Sequence, residues 1–254
     1  GTGVQQDQDM TSIVSDIIVN TNTETGSKMI EELNNSSTNT ENDLSLKVIS
    51  AISEKDMTKL NTLSENNKEQ IETLTEIAIK NADASEESAD LIAKVVSNSS
   101  DELVNKVVEE VNKNSNEEKQ ALSAKVMKSI VETNPDKIET LSDENKENII
   151  NQTIEAAKNQ SEGTSTDEID LSNTIAEIIT KSDTGTAAEV REILEDVSNE
   201  SESKLTLSVV SNITKQENYE EKMEILSVTS SIVEQSINKL VEKAVENATS
   251  EEDL

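Results

Sequence analysis

The side chains in this sequence that could do chemistry are mostly carboxylates, and some are grouped closely enough to suggest a site. Asp83, Glu86 and Glu87 form one acidic cluster, and Asp167 and Glu168 form another. Ca²⁺ prefers carboxylate oxygens, so weak Ca²⁺ binding is one hypothesis, although no EF-hand loop occurs in the chain. The simpler interpretation is that both clusters are solvated linkers whose charge opposes aggregation.

Adjacent glutamates at Glu31/Glu32 and Glu109/Glu110 raise the question of acid–base catalysis. Such pairs work in clefts that raise the pKa of one carboxyl group, whereas we expect both pairs on the solvent side of a helix. The chain has no Cys and no His, which excludes zinc fingers, thiol nucleophiles and Ser-His-Asp triads. We therefore predict no catalytic, cofactor-binding or metal-ligating residues and no enzymatic activity.

The chain is strongly acidic, with 53 Asp and Glu against 22 Lys and Arg and a net charge of −31 over 254 residues. This charge repels phosphate backbones and argues against nucleic-acid binding. No run approaches the roughly 18 apolar residues of a membrane-spanning helix, so we expect no membrane insertion. Only 32% of the residues are apolar, a fraction that is also typical of disordered chains. The spacing of those apolar residues therefore decides whether the sequence predicts a folded or a disordered chain.

The apolar residues have a helical spacing. In SIVSDII at 12–18, four of them stand at positions i, i+1, i+4 and i+5, which is one face of a helix. The same spacing recurs in LIAKVV at 91–96, and the apolar residues Leu122, Val126, Met127 and Ile130 of LSAKVMKSI at 122–130 also lie on one helical face. No segment alternates long enough to predict a strand. The sequence predicts an all-α fold with these apolar faces directed inward.

An internal repeat organises the chain. Residues 11–82 align with residues 89–160 without a gap, and 25 of the 72 positions are identical. A third, more divergent copy includes LTLSVVSNI at 205–213, which corresponds to LSLKVISAI at 44–52. Stacked neighbours would bury apolar faces that one small unit leaves open. We expect three units of about 75–80 residues, with about five short helices each, stacked into an elongated array or solenoid.

The expected organisation follows from the repeat boundaries. It consists of an acidic lead-in that resembles a cloning remnant or an arbitrary cut (1–10), repeat 1 (11–83), repeat 2 (84–161), repeat 3 (162–248) and an acidic tail (249–254).

Helix positions are predicted most clearly in repeat 2, at 89–97, 101–113, 117–132, 135–141 and 143–158. Capping boxes, in which a Ser, Thr or Asn pairs with a Glu three residues later, are predicted at Ser99/Glu102, Ser115/Glu118, Thr186/Glu189 and Asn218/Glu221. Asn134 followed by Pro135 predicts a further helix start.

Single positions can also be predicted from the alignment. Val48, Val126 and Val209 occupy the same place in the three repeats, so we expect all three side chains in the interior. Lys47 and Lys125, one residue earlier, are expected on the surface.

These features together predict a structural or interaction protein, a spacer, stalk or scaffold segment cut from a longer chain. The lack of Cys and the abundance of Ser, Thr and Asn resemble the composition of bacterial surface and filament proteins, including flagellin-like ones. That resemblance implies an extracellular or cell-surface location rather than a cytoplasmic one. The expected partner is another protein or a neighbouring repeat. The alternative is a binding module, in which a helical solenoid holds a peptide or the acidic clusters hold Ca²⁺.

Overall fold

The computed structural model describes residues 3–37, 44–114, 120–162, 169–195, 199–216, 233–239 and 241–242. Within these ranges the regular elements are helices and no strand occurs, which confirms the all-α prediction. The helices are α1 (Gly3–Asn20), α2 (Thr23–Ser37), α3 (Leu44–Lys55), α4 (Met57–Asn66), α5 (Lys68–Asn81), α6 (Glu86–Ser97), α7 (Asp101–Asn114), α8 (Gln120–Thr133), a 3₁₀ helix (Pro135–Thr140), α9 (Asp143–Ser161), α10 (Leu171–Lys181), α11 (Thr184–Glu195) and α12 (Glu200–Thr214). Residues 233–239 are also helical.

The chain divides into two compact units, Gly1–Ile149 and Ile150–Leu254. In the first unit α3 is central and packs against α1, α5 and α6. α5 packs against α2 and α7, and α6 packs against α8. In the second unit α10 packs against α11 and α12.

The core is aliphatic, as a chain without Phe or Trp requires. Val48 and Val126 are 0% exposed and Val209 is 1% exposed, so the predicted interior position is confirmed for all three valines. The prediction that the apolar residues of SIVSDII at 12–18 are all directed inward is partly wrong. Ile18 is buried, but Ile13 and Ile17 are exposed.

The helices predicted for repeat 2 agree with the observed ones, except that residues 117–119 lie outside the described residues and that Pro135–Thr140 is a 3₁₀ helix. Asn134 is its N-cap residue, as predicted, although its side chain makes no capping hydrogen bond. The side chain of Asn105 explains why this segment stays short. Its amide donates to Thr140 O at 2.9 Å, and its oxygen accepts from the Ser142 amide at 2.7 Å. The backbone groups that a longer helix would use are therefore already occupied.

Two predicted capping boxes are wrong by one to three positions. α7 begins at Asp101, so Ser99 stands too early, and its buried hydroxyl has no hydrogen-bond partner among the described residues. Thr186 lies inside α11, and its amide donates at 2.8 Å to Asp183, which stands directly before that helix. Ser115/Glu118 and Asn218/Glu221 lie outside the described residues.

Other helix starts carry caps that satisfy free amide groups of the first turn. Asp56 accepts from the Lys59 amide at 2.8 Å, at the start of α4. At the start of α12, Asn199 and Glu202 form a complete capping box. The helix ends are thus fixed by local polar side chains, while the aliphatic faces fix the packing.

Candidate functional site

The first acidic cluster lies in the link between α5 and α6, and its central carboxylate is held by serines. Asp83 Oδ1 accepts hydrogen bonds from Ser85 Oγ at 2.5 Å, from Ser88 Oγ at 2.6 Å and from the Ser85 amide at 3.2 Å. The hydroxyl groups of Ser85 and Ser88 lower the pKa of Asp83 below its usual value. This carboxylate therefore stays ionised and fixes the turn that leads into α6.

The neighbouring glutamates of this cluster have a different position. Glu86 and Glu87 are exposed in the first turn of α6, where negative charge interacts favourably with the helix dipole. Over the part of the chain that the structure describes, no three acidic side chains approach one another closely enough to hold a metal ion. Asp167 and Glu168 lie outside the described residues.

Lys125 ties α8 to the same link, and its predicted surface position is wrong. Its side chain is buried, with the residue 9% exposed, and Nζ donates to Ala84 O at 2.7 Å. Lys47, its counterpart in repeat 1, is half-buried. Burial of Lys125 could not be inferred from the helical spacing, because its partner lies 41 residues away in the chain.

A row of polar contacts joins helices of the segment 11–83 to helices of the segment 84–161. Lys94 Nζ of α6 lies 3.1 Å from Glu54 Oε1 of α3. The Ser100 amide, just before α7, donates to Asn61 Oδ1 at 2.9 Å. Together with the α3–α6 and α5–α7 packing, these contacts form a continuous interface inside the first unit.

Lys68 of α5 adds a third polar contact to this interface, with Glu102 of α7. The hydrogen bond and the charge of Glu102 raise the pKa of Lys68. Both side chains are more than half exposed, so this pair contributes little to stability and mainly favours the observed pairing of helices.

The second glutamate pair differs from the sequence expectation. Glu31 and Glu32 are exposed, as predicted, but the side chain of Glu110 is only 5% exposed. It lies 2.8 Å from Lys106 Nζ and 3.2 Å from Lys113 Nζ. These two ammonium groups compensate the buried negative charge, so the arrangement is that of a structural ion cluster.

An open groove of about 480 Å³ follows α2 in the first unit. Its lining is mostly polar or charged, comprising Thr23, Glu24, Ser27, Lys28, Glu31, Asn66, Asn67 and Gln70. Ser27 corresponds to Asn105 of repeat 2, whose longer side chain bridges to the neighbouring segment. Ser27 instead donates to Thr23 O at 2.8 Å, within its own helix, and cannot reach across the groove.

The second unit has a comparable groove of about 450 Å³ along α12. It is lined by Asp170, Ser172, Leu207, Ser208, Ser211, Asn212 and Lys215. Neither groove combines an apolar pocket with a few convergent polar groups, which is the usual form of a small-molecule site.

None of the helices in the described ranges is long and apolar enough to cross a membrane. Comparisons with protein-family models, with curated proteins and with solved structures gave no match.

Proposed function

We propose that this chain is a non-enzymatic scaffold or spacer in which three helical repeats stack into an elongated array. One observation carries the proposal: residues 78 positions apart make the same contact. Lys59 Nζ donates to Thr21 O at 2.6 Å, and Lys137 Nζ donates to Ser99 O at 2.9 Å. A contact that recurs between two pairs of aligned residues supports one structural module present twice.

The packing of repeat 1 on repeat 2 supports stacking rather than separate tethered domains. α3 packs on α6 and α5 packs on α7, and the Glu54–Lys94 and Lys68–Glu102 pairs lie across the same interface. In repeat arrays such neighbour interfaces supply much of the stability, because each unit alone buries little apolar surface.

The character of the grooves also favours a spacer over a peptide-binding module. A helical groove that captures an amphipathic peptide presents apolar anchor pockets. The groove along α2 is lined instead by side chains such as Glu24, Lys28 and Gln70. Partners of the scaffold would then be other proteins or neighbouring repeats, held by surfaces rather than by a pocket.

Small-angle X-ray scattering tests the elongated array directly. A stacked array should have a radius of gyration clearly above the roughly 18 Å that compact domains of this length show. A value at or below that figure would mean that the repeats fold back into one globule, and the spacer proposal would be abandoned.

An insertion variant sharpens this test. A duplicate of residues 84–161, placed directly after residue 161, should lengthen the particle while the helical content per residue stays constant. The matched control inserts a flexible Gly/Ser segment of the same length, which should lower the helical content per residue. If the duplicate behaves like the flexible insert, repeat 2 is not a stacking module.

A further inference from the structure

The first helix exposes an apolar face. Met10 is 50% exposed, Ile13 is 57% exposed and Ile17 is 37% exposed, and all three lie along one side of α1. We call these three residues the head face. Large aliphatic side chains aligned at helical spacing on a surface indicate a site of protein contact.

The aligned positions in the other two repeats are buried, except that Leu91, the counterpart of Ile13, is half-buried. Ile17 corresponds to Val95 of α6, which is 1% exposed, and to Ile178 of α10, which is 0% exposed. α1 packs on α3 as α6 packs on α8, but α6 is additionally covered by α3 of the preceding repeat. Among the helices that the structure describes, none covers the head face as α3 covers α6.

The helix α12 aligns with α3 in the sequence, and one side of α12 is exposed or half-buried. Ser50 of α3 lies one turn before Glu54, the residue that pairs with Lys94 of α6, and is 0% exposed. Its counterpart Ser211 on α12 is exposed. Leu46 and Ile49 of α3 are likewise 1% and 2% exposed.

Their counterparts on α12, Leu207 and Val210, are only half-buried. We call Leu207, Val210 and Ser211 the tail face. Leu46 and Ser50 stand at helical spacing from Glu54, and Glu54 pairs with Lys94 of α6, so we infer that the tail face corresponds to the side of α3 that contacts α6. The head face lies next to Asp16, the counterpart of Lys94, so we infer that it corresponds to the side of α6 that contacts α3.

The charges at the two faces are complementary. Glu54 and Lys94 form the ion pair between α3 and α6. At the aligned positions the tail face has Lys215 and the head face has Asp16. The signs are exchanged but remain opposite, and the Asp16 side chain is 56% exposed despite its contact with Lys55.

We propose that the head face of one molecule packs against the tail face of a second molecule, in the way that α6 packs against α3 within the chain. This inference rests on the repeat arrangement proposed above. The contact is head-to-tail, so it leaves one head and one tail free and permits further addition. The net charge of −31 opposes association, so screening by salt should strengthen it.

Sedimentation velocity over a concentration series in high NaCl tests the proposal. The wild-type chain should sediment faster as its concentration rises. Ile13→Asp/Ile17→Asp blocks the head face, and Ser211→Arg blocks the tail face. Each variant alone should remain monomeric, and circular dichroism should show unchanged helicity, because the substituted side chains are at least partly exposed. Met57→Asp, at a 49% exposed position of α4, is the matched control and should associate like the wild type.

Mixing the two blocked variants separates this contact from a symmetric one. The head-blocked chain keeps its tail and the tail-blocked chain keeps its head, so an equimolar mixture should form a 1:1 dimer and nothing larger. Self-association of the tail-blocked chain alone would indicate a symmetric contact between head faces and would overturn the proposal. A monomeric wild type at every concentration would also overturn it. An elongated scattering profile of that monomer would leave the spacer function intact.

The opposite charges of Asp16 and Lys215 allow a second, independent test of the head-to-tail contact. Lys215→Glu places like charges opposite Asp16 and should weaken association at moderate salt. Adding Asp16→Lys to Lys215→Glu recreates the polarity of the Glu54–Lys94 pair and should restore association. Equal association of the single and double variants would show that these residues do not face each other.

Discussion

At the residue scale, one valine position gives a threefold internal test of the repeat. Val48, Val126 and Val209 are each at most 1% exposed. Truncation of each to Ala should lower the free energy of unfolding by on the order of 1–3 kcal/mol, through lost apolar burial and the cavity left behind. Urea unfolding of the three single variants measures this.

The control for these truncations must be chosen from the structure. Lys125 is unsuitable, because it is buried and bonded to Ala84 O. Ser208, adjacent to Val209 on α12, is exposed, and Ser208→Ala should change stability by no more than about 0.5 kcal/mol. If one valine variant proves as mild as Ser208→Ala, that repeat does not share the packing of the others.

The limits of sequence prediction are also clearest for single residues. Helical spacing correctly predicts Val48 and Val126 as interior, because periodicity identifies which side of a helix is apolar. It cannot tell whether that side has a neighbour, and so Ile13 was expected inside although it is 57% exposed. The burial of Glu110 depends on two lysines on its own helix together with tertiary packing, and no apolar pattern signals it.

At the scale of helices, the sequence predicts where the helices lie better than it predicts the residues at which they begin and end. The segments of repeat 2 have strong apolar spacing and were expected within a few residues of their observed bounds. The caps depend on a single residue, and near-equivalent candidates stood side by side, such as Ser99 and Ser100 before α7. The polar groove along α2 was not predicted. It depends on the short side chain of Ser27 where repeat 2 has Asn105.

One glycine offers a test of helix packing. Gly26 is buried in α2, where a Cβ would lie 3.5 Å from both Ile18 O and Leu63 Cδ2, an ordinary contact distance. Its counterpart in repeat 2 is Val104, which is 0% exposed. Because Gly in a helix interior costs about 0.5–1 kcal/mol relative to Ala, Gly26→Ala should raise the free energy of unfolding by about that amount.

Thermal and urea unfolding of Gly26→Ala would show the gain. Gly185→Ala in α11 is the comparison, since a Cβ there would lie 3.3 Å from Asp183 Oδ1, the oxygen that accepts from the Thr186 amide. We expect a smaller gain at Gly185, because the added methyl group presses on the cap. Destabilisation by Gly26→Ala would indicate that α1 and α2 are packed more tightly than these distances imply.

At the scale of the whole molecule, the charge of −31 is the dominant electrostatic fact. Several observed ion pairs are exposed, such as Lys28–Glu24, and contribute little individually. The 22 bases cannot neutralise 53 acids, so the folded state carries substantial self-repulsion that an expanded chain would relieve. The Debye length falls to about 8 Å at physiological ionic strength, and added salt should therefore favour the folded state.

The melting temperature should accordingly rise with NaCl, and the same experiment separates general screening from a specific cation site. If carboxylates of this chain form a Ca²⁺ site, millimolar CaCl₂ should raise the melting temperature beyond NaCl of equal ionic strength, because a ligand of the folded state stabilises it by mass action. We expect the two melting curves to coincide. Asp83 already accepts three hydrogen bonds from serine groups, and among the described residues no three acidic side chains lie close enough together to hold a metal ion. An excess stabilisation by CaCl₂ that survives Asp83→Ala would point to a site formed elsewhere, and one that disappears would return the first acidic cluster to the role of a cation ligand.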